Sequence, residues 1–378
     1  MNKQLVPFGT SIFTEMSLLA TEHNAINLSQ GFPNFEGPQE LKQVLIEEVQ
    51  SGWNQYIPSF GLAELRETIA EYFANNYKLN YQPGTEITVT QGATEALFNT
   101  ITGLFNSGDE VIVFEPFYDA YIPDLALVGG KSVAVELPLN RALSLDDFEG
   151  KISLNTKGII VNTPHNPTGK IFSKEELQVI ADIAKRYDLI VISDEVYEHI
   201  LFDGNEHISI STLEGMQERT VVISSIGKTF SYTGWKVGWA VAPAHLSKGI
   251  RASHQFTTFS TVPATQKAAS AALKLDKSYF TDLKRMYQEK RDILVKGVSE
   301  LGFKVLHPAG TYFFLAEYSA FSDKPDIEFA KELIERCGVA LIPPSVFYLN
   351  GTKNKHLRFC FSKTDDVLHA ALDHLATV

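Results

Sequence analysis

The sequence predicts an α/β protein: a large domain on a doubly wound, mostly parallel sheet, with a smaller α+β domain after it. Three observations predict this. Short β-branched runs alternate with segments of helical period over about 160 residues. The runs are apolar at successive positions, as strands covered by helices on both faces must be. After residue 280 or so the texture changes to one long charged helix followed by strand-like pieces.

Each element has its own signal. Between 61 and 77, Leu62, Leu65, Ile69 and Phe73 recur at helical spacing. The run 86–90 (EITVT) reads as a strand, followed by a Gly turn and a helix over 94–105. The run 110–114 (EVIVF) is a second strand, with a helical stretch over 117–128 behind it. A third strand, 157–162 (KGIIVN), passes through a Pro/Gly loop into a helix over 173–187. There Ser173 and Glu176 have capping-box spacing, and Leu177, Ile180, Ala181 and Ala184 share a face. The runs 189–193 (LIVIS) and 220–224 (TVVIS) are the last buried strands of the large domain. A long helix over 284–301 then precedes strands at Lys304–Leu306, 312–316, 340–342 and 357–361.

Composition narrows the function. A chain of 378 residues buries a large core and needs no disulfide or structural metal to fold. With 33 Lys and Arg against 45 Asp and Glu, the net charge is −12 and no basic stripe stands out, which disfavours nucleic acid and anionic membrane as partners. Cys337 and Cys360 form no CxxC or Cys/His cluster, so a reduced compartment is expected and no metal site of ordinary spacing. The N-terminus has no continuous apolar segment of the secretory kind, and no apolar stretch approaches the roughly 20 residues that span a bilayer. The expectation is a cytoplasmic protein.

In an open α/β sheet, ligands collect at the carboxyl ends of the strands, so the residues after each strand are the candidates. After EITVT comes Gln91-Gly92-Ala93-Thr94. Bare amides at a helix start attract phosphate, and small residues let the backbone approach it; a plain tight turn is the other reading. After KGIIVN, the loop 162–169 (NTPHNPTG) is stiffened by two prolines and aims the amide of Asn166, or is a turn and nothing more. After LIVIS stands Asp194, an acid whose burial is costly unless it meets a cation, or else a helix N-cap. Tyr197 would lie one helical turn further on the same side. After TVVIS, Lys228 sits among Gly, Ser and aromatic residues in 225–239 (SIGKTFSYTGWKVGW). A desolvated amine there has a lowered pKa and becomes a nucleophile; a surface lysine is the alternative. An amine, a carboxylate, a phenol, an amide and a phosphate cradle at neighbouring strand ends suit one cofactor, pyridoxal 5'-phosphate.

At these residues, and at 27–35 (NLSQGFPNF), 55–66 (QYIPSFGLAELR), 91–97 (QGATEAL), 115–121 (EPFYDAY), 162–170 (NTPHNPTGK), 193–197 (SDEVY) and 357–362 (LRFCFS), the sequence resembles the fold-type I pyridoxal-phosphate aminotransferases of class I/II. The likeness covers essentially the whole chain and is nearest the branch of methionine and kynurenine–glutamine aminotransferases. It implies an N-terminal arm and part of the small domain over 1–45, a large cofactor-binding domain over 46–280 and a small domain over 281–378.

By this resemblance Lys228 matches the lysine that condenses with the cofactor's aldehyde, and Asp194 the acid at the ring nitrogen. Asn166 and Tyr197 match the donors to the phenolic oxygen, and Tyr118 the aromatic that stacks on the ring. Gly92, Ala93, Thr94, Ser225 and Lys236 match the phosphate site, with Lys236 where many relatives carry Arg. Tyr56 matches the tyrosine that reaches the neighbouring subunit's phosphate, which implies a homodimer with shared sites. Arg358 matches the arginine for the substrate carboxylate, with Gly31 and Asn166 beside it. Tyr118, Phe347 and the neighbour's Phe259 would line the side-chain pocket, with Phe32 and Tyr312 as further candidates. His165 replaces the asparagine common in its loop, and its role stays open.

The implied activity is ping-pong transfer of an amino group between an apolar or aromatic L-amino acid and a 2-oxo acid. A cysteine-conjugate β-lyase or a cyclopropane-forming synthase is the alternative on the same scaffold. A non-catalytic effector domain is more remote, since the match begins near the N-terminus and leaves no room for a DNA-binding head.

Overall fold

The computed structural model describes residues 2–378. In chain order the strands are β1 (Ile26–Asn27), β2 (Ile87–Thr90), β3 (Glu110–Glu115), β4 (Lys131–Glu136), β5 (Thr156–Asn162) and β6 (Ile190–Asp194). Then come β7 (Thr220–Ser225), β8 (Gly238–Val241), β9 (Lys304–Leu306), β10 (Phe313–Glu317), β11 (Val339–Ala340) and β12 (His356–Cys360). The helices begin with α1 (Ile12–Glu22), α2 (Gln39–Gln50), α3 (Ala63–Tyr77), α4 (Gly92–Leu104), α5 (Tyr121–Leu127) and α6 (Lys174–Arg186). They continue with α7 (Ile226–Thr229), α8 (Ala244–Thr257), α9 (Pro263–Leu273), α10 (Lys277–Glu300), α11 (Asp326–Cys337) and α12 (Asp365–Leu375).

The main sheet has seven strands in the order β2-β8-β7-β6-β5-β3-β4, and β8 alone runs against its neighbours. Alternating side chains of one strand enter different cores, as a two-fold side-chain period demands. Ile112 and Phe114 pack with Ile159, Val161, Val191 and helix α6. Val111 and Val113 pack on the opposite face with Ile160, Ile192, Val221 and helix α4. The expected capping box at α6 is present, with Glu176 N donating to Ser173 Oγ at 3.2 Å and Ser173 N donating to Glu176 Oε2 at 2.9 Å.

A three-stranded antiparallel sheet, β12-β10-β9, and the parallel pair β1-β11 lie outside this frame. One apolar core joins Ile12, Met16 and Leu28 of the N-terminal segment to residues of α10, β10, α11 and β12. It also takes in Val196, Tyr197 and Ile200, so the turn after β6 is where this core meets the main sheet.

Several boundaries differ from expectation. The long helix starts at Lys277, because the side chain of Asp276 accepts the Ser278 amide at 2.8 Å and caps an earlier turn. The pairing at 340–342 is shorter, with Ile342 making only an isolated bridge to Arg358. Strands β4 and β8 had no counterpart in the sequence reading. β4 is a partly exposed edge strand, so its apolar run is diluted, and β8 is a four-residue strand behind an irregular loop.

Candidate active site

The ends of β2, β5, β6 and β7 and the start of antiparallel β8 meet on one side of the sheet. Register explains this. Asn162 pairs with Asp194, Asp194 with Ile223, Ser225 with Gly238 and Gly238 with Thr90. The reversed direction of β8 therefore brings Lys236 and Val237 to the same edge as the carboxyl ends of the others. Between this edge and the smaller sheet lies a cavity of about 300 Å³. Gly31, Gly92, Ala93, Thr94, Tyr118, Asn166, Asp194, Tyr197, Ser225, Lys228, Lys236 and Arg358 all line it.

Lys228 Nζ stands 5.7 Å from the ring centre of Tyr197 and 5.8 Å from that of Tyr312, and donates to Gly31 O at 3.4 Å. Removal from water pushes its pKa down to about 8. Asp194 is pushed up to about 6 by burial, against the hydrogen bond that Tyr121 Oη donates to its Oδ2 at 2.8 Å. A cation brought against this carboxylate would return it to the charged form. Asn162 ties the neighbouring loop down: its Nδ2 donates to Asp194 O at 2.9 Å, and its Oδ1 accepts the Asn166 amide at 2.8 Å.

Arg358 is 1% exposed. Its guanidinium donates to Asn166 Oδ1 at 3.0 Å and to Ser29 O at 2.7 Å, while Nε is buried without a partner. Phe313 and Phe13 lie 4.1 and 5.0 Å from it by ring centre. Among the described residues no carboxylate pairs with it. A buried cation lacking its anion is expensive, so this arrangement fits an anion arriving from outside.

At the other end, Gly92 opens α4 with φ +78°, and a Cβ there would stand 3.3 Å from Lys236 Nζ. A helix start, a lysine and the Ser225 side chain form a cradle for a phosphate. The cavity thus offers an anion site at each end, with an amine and a buried acid between them. That donor set fits pyridoxal phosphate together with an amino-acid carboxylate.

The family description "aminotransferase class I and II" matches residues 23–375. The chain is 44% identical to the methionine aminotransferase of Escherichia coli, covering 99% of both chains. It is 38% identical to the kynurenine–oxoglutarate transaminase of Dictyostelium discoideum, over 99% of this chain and 95% of that one. The three-dimensional structure of N-succinyldiaminopimelate aminotransferase from Mycobacterium tuberculosis superposes with a TM-score of 0.97 at 40% identity, covering 100% of this chain and 99% of that one.

The chain belongs to the class I and II aminotransferases. It is a pyridoxal-phosphate-dependent transaminase with the type I fold of that cofactor's enzymes, acting on amino acids and 2-oxo acids.

Five of the residues singled out from this aminotransferase's sequence, Phe347, Tyr56, Phe259, Phe32 and Tyr312, do not line the cavity. Phe347 is buried behind it, stacked on Phe13 at 5.8 Å and 5.9 Å from the Arg358 guanidinium, because its carbonyl is held by the Phe117 amide at 2.9 Å. Tyr56 is 85% exposed and Phe259 40%, and the two rings meet edge to face at 5.4 Å on the surface. Phe32 is also exposed, beneath the Lys363 ammonium. Tyr312 donates from its hydroxyl to Gly31 O at 2.6 Å. Tyr197 follows Asp194 in a turn rather than a helix, and the Val196 amide reaches Asp194 Oδ1 at 3.4 Å. His165 is a buried loop brace: its Nδ1 bonds Thr168 Oγ1 at 2.8 Å, and burial followed by Lys170 pushes its pKa down to about 3.

Phe13, Gln30, Asn162, Thr233 and Phe313 also line the cavity without having been picked out, and Tyr121 holds Asp194 from behind it. Asn162 and Tyr121 lie inside stretches that carried the family likeness. Gln30 lies in such a stretch too, 27–35, whereas Phe13 carried no such signal, since α1 reaches the site only through tertiary packing.

Gly238 gives a test of the cradle. A Cβ at this position would stand 2.5 Å from Gly92 C and 2.6 Å from Ala93 N, both backbone atoms. Gly238→Ala therefore displaces the start of α4, costs about 1–3 kcal/mol of stability as overpacking does, and weakens binding of pyridoxal phosphate. Calorimetric melting and a fluorescence titration with the cofactor measure both; unchanged affinity would separate this glycine from the phosphate.

Proposed function

We propose that this aminotransferase moves the amino group of an L-amino acid with an apolar or aromatic side chain, such as methionine, phenylalanine, tyrosine, glutamine or kynurenine, to a 2-oxo acid by a ping-pong mechanism. One observation carries the substrate class. Arg358 is the sole arginine lining the cavity among the described residues, and its neighbours on the wall are Phe13 and Phe313. One guanidinium suits one α-carboxylate, and aromatic walls suit a side chain without a second.

Bound pyridoxal phosphate supplies an aldehyde that takes up the amino group and a protonated ring that draws electrons from the bond being broken. Lys228 Nζ would hold the cofactor through its aldehyde and, when free, would take the proton from the substrate's Cα. Asp194 would accept a hydrogen bond from the ring nitrogen and keep it protonated. Asn166 and Tyr197 would donate to the phenolic oxygen, Tyr118 would stack on the ring, and the amides of Gly92, Ala93 and Thr94 would hold the phosphate with Ser225 and Lys236. Arg358, beside Gly31 and Asn166, grips the α-carboxylate.

The same reading makes the protein a homodimer, with Tyr56 and Phe259 of each subunit serving the other's site and Phe347 supporting the wall of the side-chain pocket. Their exposed, mutually packed rings on the surface of the single chain support it. It divides the chain into a large domain over 46–280 and a small one from 1–45 and 281–378. It also places the protein in the cytoplasm, which suits the free, buried thiols of Cys337 and Cys360.

Rates for a panel of amino acids with several 2-oxo acids test the proposal. Methionine and the aromatic amino acids should lead, separated by about 1–3 kcal/mol per side-chain group, as apolar pockets allow. Preference for aspartate or for N-succinyldiaminopimelate would overturn the substrate class. Pyruvate and ammonia released from a cysteine conjugate without an acceptor would favour the β-lyase instead.

A further inference from the structure

Behind the cavity the protein holds a second buried polar cluster, built from the same turn that carries two of the site's groups. Along Asp194–Glu198 the side chains take two destinations. Asp194, Val196 and Tyr197 face the cavity, whereas Glu195 and Glu198, 1% and 7% exposed, enter a cluster that the cavity does not touch. Glu195 Oε1 accepts hydrogen bonds from Ser193 Oγ and Ser209 Oγ, each at 2.7 Å, and its Oε2 pairs with His207 Nε2 at 2.8 Å. Glu198 accepts from the hydroxyls of Tyr72 at 2.7 Å and Tyr77, and from Ser224 Oγ at 2.9 Å. His199 Nε2 lies 2.9 Å from Tyr72 Oη, and the Tyr77 ring meets His207 edge to face at 6.1 Å.

Two carboxylates do not remain charged in a protein core without such partners. Burial pushes His207 toward its neutral form, and so does Lys284 on α10, but the charge and hydrogen bond of Glu195, with Glu198 beyond, outweigh both and raise its pKa. Glu198 is likewise held below its usual range: burial opposes this, and His199, His207 and the two tyrosines prevail.

Backbone bonds pin the ends of this turn: Asp194 O accepts from Thr163 N at 3.1 Å and Asn162 Nδ2 at 2.9 Å, Glu195 N donates to Ile223 O at 2.8 Å, Glu198 N to Glu195 O at 3.0 Å and Ile200 N to Tyr197 O at 2.8 Å. Tyr121 Oη and the Val196 amide hold the Asp194 carboxylate on the cavity side, and the grip on Glu195 and Glu198 fixes the same stretch from the opposite side.

We propose that Glu195, gripped by His207 and Ser209, is a positioning residue that aims Asp194 at the cofactor's ring nitrogen, with Glu198 doing the same for Tyr197 from the far side. This deepens the reading of Asp194 given above and rests on it. A displacement on the order of 1 Å at a reacting group is enough to cost a hundredfold in rate, so anchors outside the cavity bear directly on turnover.

The test uses the full-length protein reconstituted with pyridoxal phosphate. Glu195→Ala is expected to lower kcat and cofactor affinity by roughly ten- to a hundredfold, the range found when partners that orient a ligand are removed. The KM for the amino acid, set by Arg358, should hold. The absorbance of the bound cofactor should shift, because its ring protonation follows the placement of Asp194. Glu195→Gln, which keeps the hydrogen bonds, should restore most of the loss. If Glu195→Ala does not fold, Ser209→Ala removes one grip on Glu195 and should lower kcat severalfold at unchanged KM.

A folded Glu195→Ala protein with a lower melting temperature but wild-type kcat and absorbance would overturn the inference, as would an unaffected Ser209→Ala. Failure of the wild-type protein to take up the cofactor would instead overturn the reading of Asp194 beneath it, and the two failures are thereby distinguished.

Discussion

Replacing Lys228 with alanine abolishes steady transamination and the covalent tether to the cofactor. The proton transfer at Cα alone is worth about 10²–10⁴-fold, and loss of the amine that holds the aldehyde adds to it. The pH course of uptake carries the same signature. With its pKa pushed down to about 8 by burial, the amine of the cofactor-free protein is protonated and unreactive at lower pH. It becomes nucleophilic as pH rises through 8, well before an ordinary lysine titrates near 10.5. Covalent uptake of pyridoxal phosphate, trapped by hydride reduction and read as a mass adduct on the peptide containing residue 228, should climb through that range and level off. Steady turnover in Lys228→Ala, or an adduct on another peptide, would remove the basis of the mechanism.

Arg358→Met lowers kcat/KM for every amino acid substrate by about 2–5 kcal/mol, roughly 30- to 5,000-fold, the cost of removing one partner from a buried charged pair. The thermal midpoint should move far less. The folded protein already bears the cost of a guanidinium buried among Phe13, Phe313 and Phe347 with no carboxylate paired to it among the described residues, and losing that cost offsets the two hydrogen bonds given up. Arg358→Lys should not restore activity, because a point charge cannot reproduce a planar fork that bonds Asn166 and Ser29 while leaving Nε for a ligand. Steady-state kinetics beside calorimetric melting separate the two effects. A kcat/KM that stays near wild type would mean that this arginine does not meet the carboxylate.

Much of the main sheet could be read in advance because its central strands are apolar on both faces, so that runs such as 110–114 and 220–224 stand out from any local background. Strand β4, at an exposed edge, and β8, four residues long and antiparallel, lack that contrast. The same locality explains which site residues were legible. Gly92, Asn166, Asp194 and Lys228 each follow a strand within a few residues, and their chemistry points to their use. Phe13 does not, since nothing near it in the chain indicates that α1 comes to lie over strand ends far away in sequence.

From its sequence alone this protein's family and its α/β order of elements could be determined, and the amine, acid and cradle proposed for its site singled out, because these depend on spacing along the chain and on side-chain type. Only the tertiary structure decided that, among the described residues, no carboxylate pairs with Arg358, and that Glu195 and Glu198 turn away from the cavity their neighbours face. Those facts concern burial and proximity between segments remote in the chain, and such contacts exist only once the backbone has closed around them.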